Sequence, residues 1–202
     1  MEIVSIVGNG PLSQEQKKRI EKSDRIYRFN SPPPDHIDNY SRTNTLVLSN
    51  SSKQTRLLLE SNDYLEGPVF KLAESVLLPY HPKIISEYMP KPNFVSRLKG
   101  MKADWTELCI IKACNLDKQY KVIDEQTYHL ACRKIGIAEH EARKKFPSSG
   151  IMTIISCIHQ YKNSAKVEIY GFGFKGWKRH DWNGERRYIQ ELAANEALTM
   201  IS

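Results

Sequence analysis

The residues best suited to chemistry include a short run of small hydroxyl and glycine residues that opens a predicted helix. Ser148, Ser149 and Gly150 follow Pro147. The apolar residues after them recur at helical spacing, namely Ile151, Ile154, Ile155 and Ile158. A serine at the N-cap leaves backbone N–H groups and the positive end of the helix dipole beside small side chains. Such a start can bind a phosphate or a carboxylate, and an ordinary capped helix is the alternative interpretation.

A second glycine-containing turn lies near the amino terminus. The apolar run Ile3–Val7 predicts a strand, and Gly8, Asn9 and Gly10 follow it directly. A turn between a strand and a helix places backbone N–H groups at the carboxyl edge of a parallel sheet, where ligands bind. The amide of Asn9 can hydrogen-bond a ribose, a phosphate or a base, although a simple left-handed turn residue is equally consistent. The turn is not specific by itself, because neither the three-glycine dinucleotide fingerprint nor GxxxxGK[ST] is present.

A third candidate is His180, which precedes a predicted helix and lies next to Asp181 and near Glu185. A histidine with a pKa near 7 suits the removal of a proton from an attacking hydroxyl. Either carboxylate could orient its ring, and Glu185 in the first helical turn also favours the helix dipole. A surface histidine before a helix is the alternative interpretation.

The sequence lacks the patterns that usually hold a metal ion. There is no Asp-x-Asp pair, and Asp35 and Asp38 lie in a proline-rich segment. The six histidines show neither HxxxH nor HExxH spacing. We therefore expect no metal site. The charge on a leaving phosphate would then be met by N–H groups, hydroxyls and cations.

The elements that would position these residues alternate between strands and helices. Strands are predicted over Ile3–Val7, Arg25–Asn30 and Thr45–Leu48. Helices are predicted from a Ser13–Gln16 capping box to about Lys22, over Trp105–Cys114 and Gln126–Ile135, and from Asn183 to the end with Leu198 inward. We expect Leu57–Leu59 to belong to a helix, and Val69–Leu72 and Val76–Leu78 to be strand or helix pieces of the core. Residues 79–100 are expected to be irregular except for a helical turn near Ile84–Tyr88. This alternation predicts an α/β fold with a mostly parallel sheet.

Composition narrows the partners. A chain of 202 residues with 40% hydrophobic and 26% charged residues is typical of one soluble domain. A net charge of +7 favours negatively charged partners such as nucleotides, nucleic acids, acidic glycans or an anionic membrane. The four cysteines show no CxxC spacing, and Cys114 and Cys157 are predicted to be buried free thiols, which fits a reducing compartment. Without a secretory signal or a membrane-length apolar run, we expect a cytoplasmic protein, with a peripheral membrane contact left open.

Three segments, taken in order, resemble the donor-binding motifs of the sialyltransferases of glycosyltransferase family 29. Residues 6–10, Ile-Val-Gly-Asn-Gly, together with Ser23–Asn30 resemble the long motif. Pro147–Gly150 through Phe172 resembles the short motif, and His180-x4-Glu185 resembles the very short motif. These segments span most of the chain.

The resemblance implies a single three-layer α/β/α Rossmann-like domain over residues 1–202, with a mostly parallel central sheet and a GT-A-like variant topology. It implies inverting transfer of a sugar acid from a cytidine monophosphate (CMP) donor, without a metal or cofactor. The implied donor-binding residues are Gly8, Asn9, Gly10, Asn30, Ser148, Ser149 and Gly150. His180 would be the general base, and Arg28 matches the long motif in a role that can be structural.

The chain also departs from the family. Only residues 175–179 separate Phe174 from His180, so the His-aromatic segment that the family carries before its very short motif is missing or fused. His180 could for this reason be a phosphate contact, and if it is the base, Lys178 or Arg179 could contact the phosphate. The positions of the vertebrate disulfide correspond to residues 4 and 161, which are not cysteines, and residue 10 is glycine where the family usually has serine.

The sequence therefore favours an inverting, metal-independent glycosyltransferase. Its donor would carry a sialic acid or a related keto-sugar acid, its acceptor would be a glycan or glycolipid hydroxyl, and no nucleic-acid partner is expected. Two alternatives stay open: a non-catalytic α/β module that binds nucleotides or nucleic acid, and a decayed transferase that binds a donor without turnover.

Overall fold

The core of this protein is a sheet of parallel strands. The computed structural model describes residues 1–37 and 41–201. The strands in this part of the chain are β1 (Glu2–Val7), β2 (Arg25–Phe29), β3 (Thr45–Val47), β4 (Ser75–Leu78), β5 (Gln119–Val122), β6 (Ala165–Tyr170) and β7 (Thr199–Ile201). Their order is β5-β4-β3-β2-β1-β6-β7, and every neighbouring pair is parallel. The predicted α/β fold is confirmed, with a seven-stranded sheet that is parallel throughout.

Strand β1 lies where the order of the strands reverses. The chain proceeds from β1 through β2, β3 and β4 to β5 on one side, and β6 then pairs with the other side of β1. Val4 and Ile6 of β1 are fully buried because the strand has a neighbour on each edge and helices on both faces. Open parallel sheets bind ligands outside the carboxyl ends of the strands at such a reversal. The ends of β1 and β6 are therefore the expected location of a site.

Helices cover both faces of the sheet. They are α1 (Gln14–Glu21), α2 (Lys53–Glu60), α3 (Asn62–Glu66), α4 (Pro68–Leu72), α5 (Pro82–Tyr88), α6 (Phe94–Leu98), α7 (Thr106–Cys114), α8 (Glu125–Ile135), α9 (Ser149–Tyr161) and α10 (Trp182–Ala194). Successive strand residues point to opposite faces. Leu77 accordingly shares a core with residues of α5, α8, α9 and α10, whereas its neighbours Val76 and Leu78 pack with α2, α4 and α7. The result is a three-layer α/β/α arrangement.

Several local predictions are confirmed. The capping box of α1 is present, since Gln16 N donates to Ser13 Oγ at 3.1 Å and Ser13 N donates to Gln16 Oε1 at 2.7 Å. The apolar stripe of α9 faces the core, with Ile151, Ile154 and Ile155 buried. Both the capping box and the apolar stripe were predicted from residues that lie only a few positions apart in the sequence. Asp38, considered with Asp35 as a carboxylate pair, lies outside the described residues.

Four features differ from the sequence-based expectations. Helix α6 lies within residues 79–100, which were expected to be irregular except near Ile84–Tyr88; it has no buried residue and therefore no apolar core-facing pattern. Strand β5 was not expected because it is an edge strand whose residues are mostly exposed, which removes the apolar signal. The last helix does not reach the chain end: it stops at Ala194, Glu196 takes a φ of 56°, and β7 follows, although Leu198 is buried as predicted. Cys114 is exposed and not buried, because it lies in the last turn of α7 on the side away from the core.

Candidate active site

A cleft of about 410 Å³ opens at the carboxyl ends of β1 and β6. Its walls are the turn after β1, the end of β2, the start of α9 and the segment that follows β6. The predicted site residues that line it are Gly8, Asn9, Gly10, Asn30, Ser148, Ser149, Gly150 and His180. No carboxylate belongs to the lining in the described part of the chain. The cleft is therefore suited to an anionic ligand.

The glycines at positions 8 and 10 let the turn after β1 touch the segment after β6. Gly8 N donates to the Tyr170 carbonyl and Gly10 N donates to the Gly171 carbonyl, both at 2.8 Å. A Cβ on either glycine would lie 2.6 Å from the Gly171 carbonyl oxygen, which is closer than side chains tolerate. These glycines are therefore required for backbone packing, and their N–H groups bond within the protein and not to a ligand.

The start of α9 offers backbone donors to the cleft. Ser148 is the N-cap, and its Oγ accepts a hydrogen bond from Ile151 N at 3.2 Å. The N–H groups of Ser149 and Gly150, the first two residues of the helix, have no acceptor among the described residues. They add to the positive end of the helix dipole. Two free donors and the dipole together make an anion seat that opens on the cleft.

Glu185 of α10 holds the N-cap of α9 in place. Its carboxylate accepts hydrogen bonds from Ser148 N at 2.8 Å and from Ser148 Oγ at 2.6 Å. Its side chain is only 2% exposed. Burial raises the pKa of Glu185 to about 7, although the two hydrogen bonds from Ser148 lower it. The carboxyl group is thus increasingly neutral below pH 7, which limits the negative charge behind the anion seat.

His180 is fixed by a backbone carbonyl and by two tryptophan rings. Its Nδ1 lies 2.8 Å from the Phe146 carbonyl oxygen. Because a carbonyl only accepts, Nδ1 carries the proton, and the neutral ring has its lone pair on Nε2. The rings of Trp177 and Trp182 meet it edge-on, with centroids 5.1 and 5.0 Å away. Burial lowers the pKa of His180 more than the hydrogen bond to Phe146 raises it, so the imidazole is neutral at pH 7 and Nε2 can accept a proton.

Neither nearby carboxylate orients the His180 ring. Glu185 bonds the start of α9, and Asp181 caps α10 and pairs with Lys145 at 3.3 Å. The expectation that Asp181 or Glu185 orients the ring is therefore not met. The Phe146 carbonyl does so instead, because an isolated parallel bridge pairs Phe146 with His180.

Two asparagines border the cleft beside β1 and β2. Asn9 Nδ2 donates to the Phe29 carbonyl at 3.4 Å. Asn30 takes a φ of 48°, and its Oδ1 accepts from Ser49 N at 2.9 Å. Asn9 Oδ1 and Asn30 Nδ2 have no partner among the described residues. One acceptor and one donor are thus available to a polar ligand.

Arg28 points away from the cleft. It is 2% exposed, and its guanidinium donates to Glu21 Oε1 at 2.8 Å and to the Arg42 carbonyl at 3.0 Å. These bonds tie β2 to the end of α1 and to the segment before β3. The structural role left open for Arg28 is the one that the contacts support.

Of the described basic residues before His180, only one lines the cleft. Lys178 is exposed and does not line the cleft, and the Arg179 guanidinium lies 5.8 Å from the centre of the Trp177 ring. Lys175 lines the cleft instead. It supplies a cation there that the sequence-based prediction did not include.

The aromatic residues that line one wall of the cleft were also not predicted from the sequence. The Phe172 ring meets Phe29 edge-on at 6.1 Å and lies 6.4 Å from Phe174. Trp177 stacks on Phe146 at 5.8 Å. The usable signal is the alternation of glycine and phenylalanine over residues 171–174, directly after a strand. Such an alternation marks a segment whose backbone must approach closely while its side chains form a surface.

A second cavity of about 680 Å³ lies on another side of His180. Trp177 and His180 line both the cleft and this cavity. The rest of its lining comes from the β3–α2 segment, helix α2, the residue Tyr80 and the residues after α5: Ser49, Ser51, Ser52, Lys53, Gln54, Leu57, Tyr80, Met89 and Pro90. His180 therefore stands between two spaces, each large enough for a small-molecule reactant.

Other large cavities lie at the opposite edge of the sheet. One of about 320 Å³ is lined by Glu2, Arg25 and Thr45, the first residues of their strands. One of about 910 Å³ is lined by Ala165 and Thr199, also first residues of strands. Ligands of parallel sheets bind at the carboxyl edge, and these cavities lack the free helix start and the histidine found there.

Residues 1–37 and 41–201 contain no group of three or more His, Cys, Asp or Glu side chains placed to hold a metal ion. No helix in this part of the chain combines the length and apolar character needed to cross a membrane.

Solved sialyltransferases have the same fold as this chain. A mammalian sialyltransferase aligns with a TM-score of 0.56 at 15% identity, over 99% of this chain and 68% of that one. A mammalian sialyltransferase in complex with Gal-beta-1-3GalNAc-ortho-nitrophenol gives 0.54 at 16% identity, over 99% and 69%. The sialyltransferase CstII from Campylobacter jejuni, in complex with a substrate analogue, cytidine-5'-monophosphate, gives 0.52 at 11% identity, over 99% and 78%. The fold is therefore a sialyltransferase-like Rossmann fold, and identities this low show the fold alone.

The sequence itself is similar to a different kind of protein. The urease operon 23 kDa accessory protein of Rhizobium meliloti (strain 1021) is 21% identical in an alignment that covers 98% of this chain and 92% of that protein. No protein-family model matches the chain. The sequence comparison thus leaves the family open, while the structural comparison establishes a transferase-like fold.

Proposed function

We propose that this protein is an inverting, metal-independent glycosyltransferase that moves a sugar acid from a CMP-linked donor to a glycan or glycolipid hydroxyl. The sugar acid is a sialic acid or a related keto-sugar acid. One observation carries the proposal: the free start of α9 and a neutral histidine line the same cleft, at the reversal of a parallel sheet. The fold shared with a sialyltransferase crystallised with cytidine-5'-monophosphate supports the choice of donor.

The donor occupies the cleft. The N–H groups of Ser149 and Gly150 bind the leaving phosphate, and Asn9 and Asn30 contact the nucleotide. As the bond between the anomeric carbon and the phosphate oxygen breaks, negative charge grows on that oxygen. Two preorganised amides, the helix dipole and Lys175 meet this charge in place of a metal ion.

His180 acts as the general base. The acceptor oxygen attacks the anomeric carbon from the face opposite the phosphate, its proton passes to His180 Nε2, and the phosphate leaves with the electron pair of the broken bond. The configuration at the anomeric carbon is thereby inverted. Such a base contributes about 10²–10⁴-fold in rate. The bond from Nδ1 to the Phe146 carbonyl favours this role over a phosphate contact, because Nε2 of the neutral ring can accept a proton but cannot donate to a phosphate.

The acceptor occupies the second cavity. The hydroxyl of Ser51 and the amide of Gln54 can hydrogen-bond a sugar there, whereas Ser52 Oγ caps α2 and bonds Thr55. Trp177 is 46% exposed and presents an aromatic surface to it. An acceptor in this cavity and a donor in the cleft would meet at His180, which lines both.

The whole chain belongs to the proposed transferase domain. Residues 1–202 form one glycosyltransferase domain that works without a cofactor and without a nucleic-acid partner, in the cytoplasm or at a membrane surface. The bound metal ion that many nucleotide-sugar enzymes use is replaced by the donors at the start of α9.

The test compares thermal stabilisation by CMP with stabilisation by uridine and adenosine monophosphates. We expect CMP to raise the Tm of the wild type and of His180→Ala, but not of Ser149→Glu, which adds bulk and negative charge at the anion seat. Ser86→Glu, an exposed position on α5, is the matched control and should respond as the wild type does. Transfer from a CMP-linked sialic acid should be lost in His180→Ala. Equal responses to all three nucleotides, or full transfer by His180→Ala, would overturn the proposal.

A non-catalytic or decayed protein is the second candidate, favoured by the similarity to a urease operon accessory protein over nearly the whole chain. A decayed transferase would bind CMP and fail to release it from a CMP-linked sugar with any acceptor. A binding module for other nucleotides or for nucleic acid would show no preference for CMP. The nucleotide comparison identifies the binding module, and the transfer assay separates the decayed protein from the active enzyme.

A further inference from the structure

The segment from Met89 to Ala103 carries large apolar side chains that are exposed to solvent. Within it, helix α6 has no buried residue. Phe94 is 67% exposed, Val95 58% and Leu98 73%. Residues four and three positions apart share a helix face, so Phe94 and Val95 both neighbour Leu98 and form one apolar strip. Large apolar residues grouped in this way at a surface mark an interaction site.

This strip is held in a defined shape. A five-residue helix is not stable alone, and two contacts fix α6. Asn93 Oδ1 accepts from Ser96 N at 2.8 Å and caps its start. Arg56 of α2 donates to the Lys99 carbonyl at 3.1 Å and so anchors its end. The apolar side chains are therefore presented by an ordered element.

The charged side chains of the segment itself all have the same sign. Residues 89–103 contain four basic side chains and no acidic one. These are Lys91, Arg97, Lys99 and Lys102, all exposed. An apolar strip bordered by lysine and arginine is the pattern by which amphipathic helices bind the interface of anionic membranes.

We propose that residues 89–103, here the basic apolar segment, dock the protein on the surface of an anionic phospholipid bilayer. Phe94, Val95 and Leu98 enter the boundary between headgroups and acyl chains, and the basic side chains lie at the headgroup phosphates. A nucleic acid would satisfy the charges but leave the apolar strip in water. A second copy related by a twofold axis would bring the same cations together, which is unfavourable.

The position of the segment gives the docking a consequence. Met89 and Pro90, its first residues, line the second cavity beside His180. Docking would therefore bring that cavity near the bilayer surface, where the hydroxyls of a glycolipid headgroup lie. This consequence rests on the proposed function, whereas the docking itself does not.

The test is flotation with vesicles of phosphatidylglycerol and phosphatidylcholine, compared with vesicles of phosphatidylcholine alone. We expect the wild type to bind the anionic vesicles in a salt-sensitive manner and to bind the neutral vesicles weakly. The double variant Phe94→Ser/Leu98→Ser should lose about tenfold in partitioning for each side chain. Lys99→Glu/Lys102→Glu should also lose binding, because each basic side chain near the surface contributes about fivefold.

Matched controls place the same changes elsewhere. Leu72→Ser removes a leucine that is 59% exposed on α4, and Lys18→Glu/Lys144→Glu reverses two exposed charges outside the segment. Both should bind as the wild type does. The proposal is overturned if the wild type ignores anionic vesicles, if the controls lose as much binding as the segment variants, or if the protein is a dimer that Phe94→Ser/Leu98→Ser dissociates. Preferential binding to nucleic acid through the lysines would also overturn it.

Two measurements keep these outcomes separate from folding and from the active site. Thermal melts of the segment variants should match the wild type, since the changed side chains are exposed; if the serine variant melts early, the glutamate variant decides. Stabilisation by CMP should be unchanged in all segment variants. If a segment variant loses vesicle binding but is still stabilised by CMP, the change has affected only the docking surface. If CMP does not stabilise the wild type, only the proposed function is contradicted.

Discussion

Replacement of Glu185 by glutamine should change how the stability of this protein depends on pH. The folded state raises the pKa of Glu185 from 4.5 to about 7, so between these values the folded protein holds a proton that the unfolded chain has released. The free energy of unfolding contributed by this group is therefore highest below pH 4.5 and falls as the pH rises to 7. At 1.36 kcal/mol per pH unit, the loss across this window is about 3 kcal/mol.

Glutamine stays neutral throughout and retains an oxygen to accept from Ser148 N. The stability of Glu185→Gln relative to the wild type should accordingly rise by about 3 kcal/mol between pH 4.5 and pH 7. Urea unfolding of both proteins, at pH values below, within and above this window, measures the difference directly. Other titrating groups are common to the two proteins and cancel in it.

Glu168 provides the control of opposite sign. Although burial opposes it, hydrogen bonds from Arg19 and Tyr170 lower the pKa of Glu168 to about 2. Its contribution to stability is present above pH 4.5 and is lost as the pH falls towards 2. Glu168→Gln should therefore be destabilised relative to the wild type above pH 4.5, with no slope between pH 4.5 and 7. If Glu185→Gln shows a constant difference from the wild type across that range, the burial argument for Glu185 is refuted.

Two further predictions follow from contacts of single residues. Gly8→Ala should lower the free energy of unfolding by about 1–3 kcal/mol in urea titration, because its Cβ would lie 2.6 Å from the Gly171 carbonyl oxygen. Gly173→Ala is its control, since the nearest atom to that Cβ is a flexible Lys175 side-chain carbon at 3.6 Å; equal losses in the two variants would contradict the packing role. In the native protein Cys114 should react with a thiol reagent before the other three cysteines, because these are buried and burial raises their pKa values. Mass spectrometry after short labelling identifies the modified residue. Labelling of a buried cysteine first would contradict the exposure of Cys114.

Local patterns were sufficient to predict much of the fold. The capping box at Ser13 and Gln16 fixes the start of α1, and the isoleucine spacing after Ser148 predicts both α9 and its buried face. These features depend on residues at most a few positions apart, so the sequence displays them directly. Strand β5 escapes this reasoning because an edge strand stays partly in water and needs no apolar pattern.

The order of the strands was not readable from the sequence, and it decides which residues share the cleft. Pairing of β6 with β1 brings Gly171 against Gly8 and Gly10. The two glycines were expected to donate to a ligand, but their N–H groups bond the backbone after β6 instead. No spacing rule gives this result, because the partners lie on opposite halves of the chain.

The sequence by itself therefore determined the residue types of the site: a glycine turn after a strand, a helix opened by Ser148, Ser149 and Gly150, and a histidine before the last helix. Only the tertiary structure decided what each group is free to do. Glu185 bonds the N-cap of α9 and not the histidine, and the Phe146 carbonyl sets the tautomer of His180. The physical reason is that hydrogen bonds and burial depend on partners that only folding brings within about 3 Å, so the availability of a donor or a lone pair is a property of the packed protein.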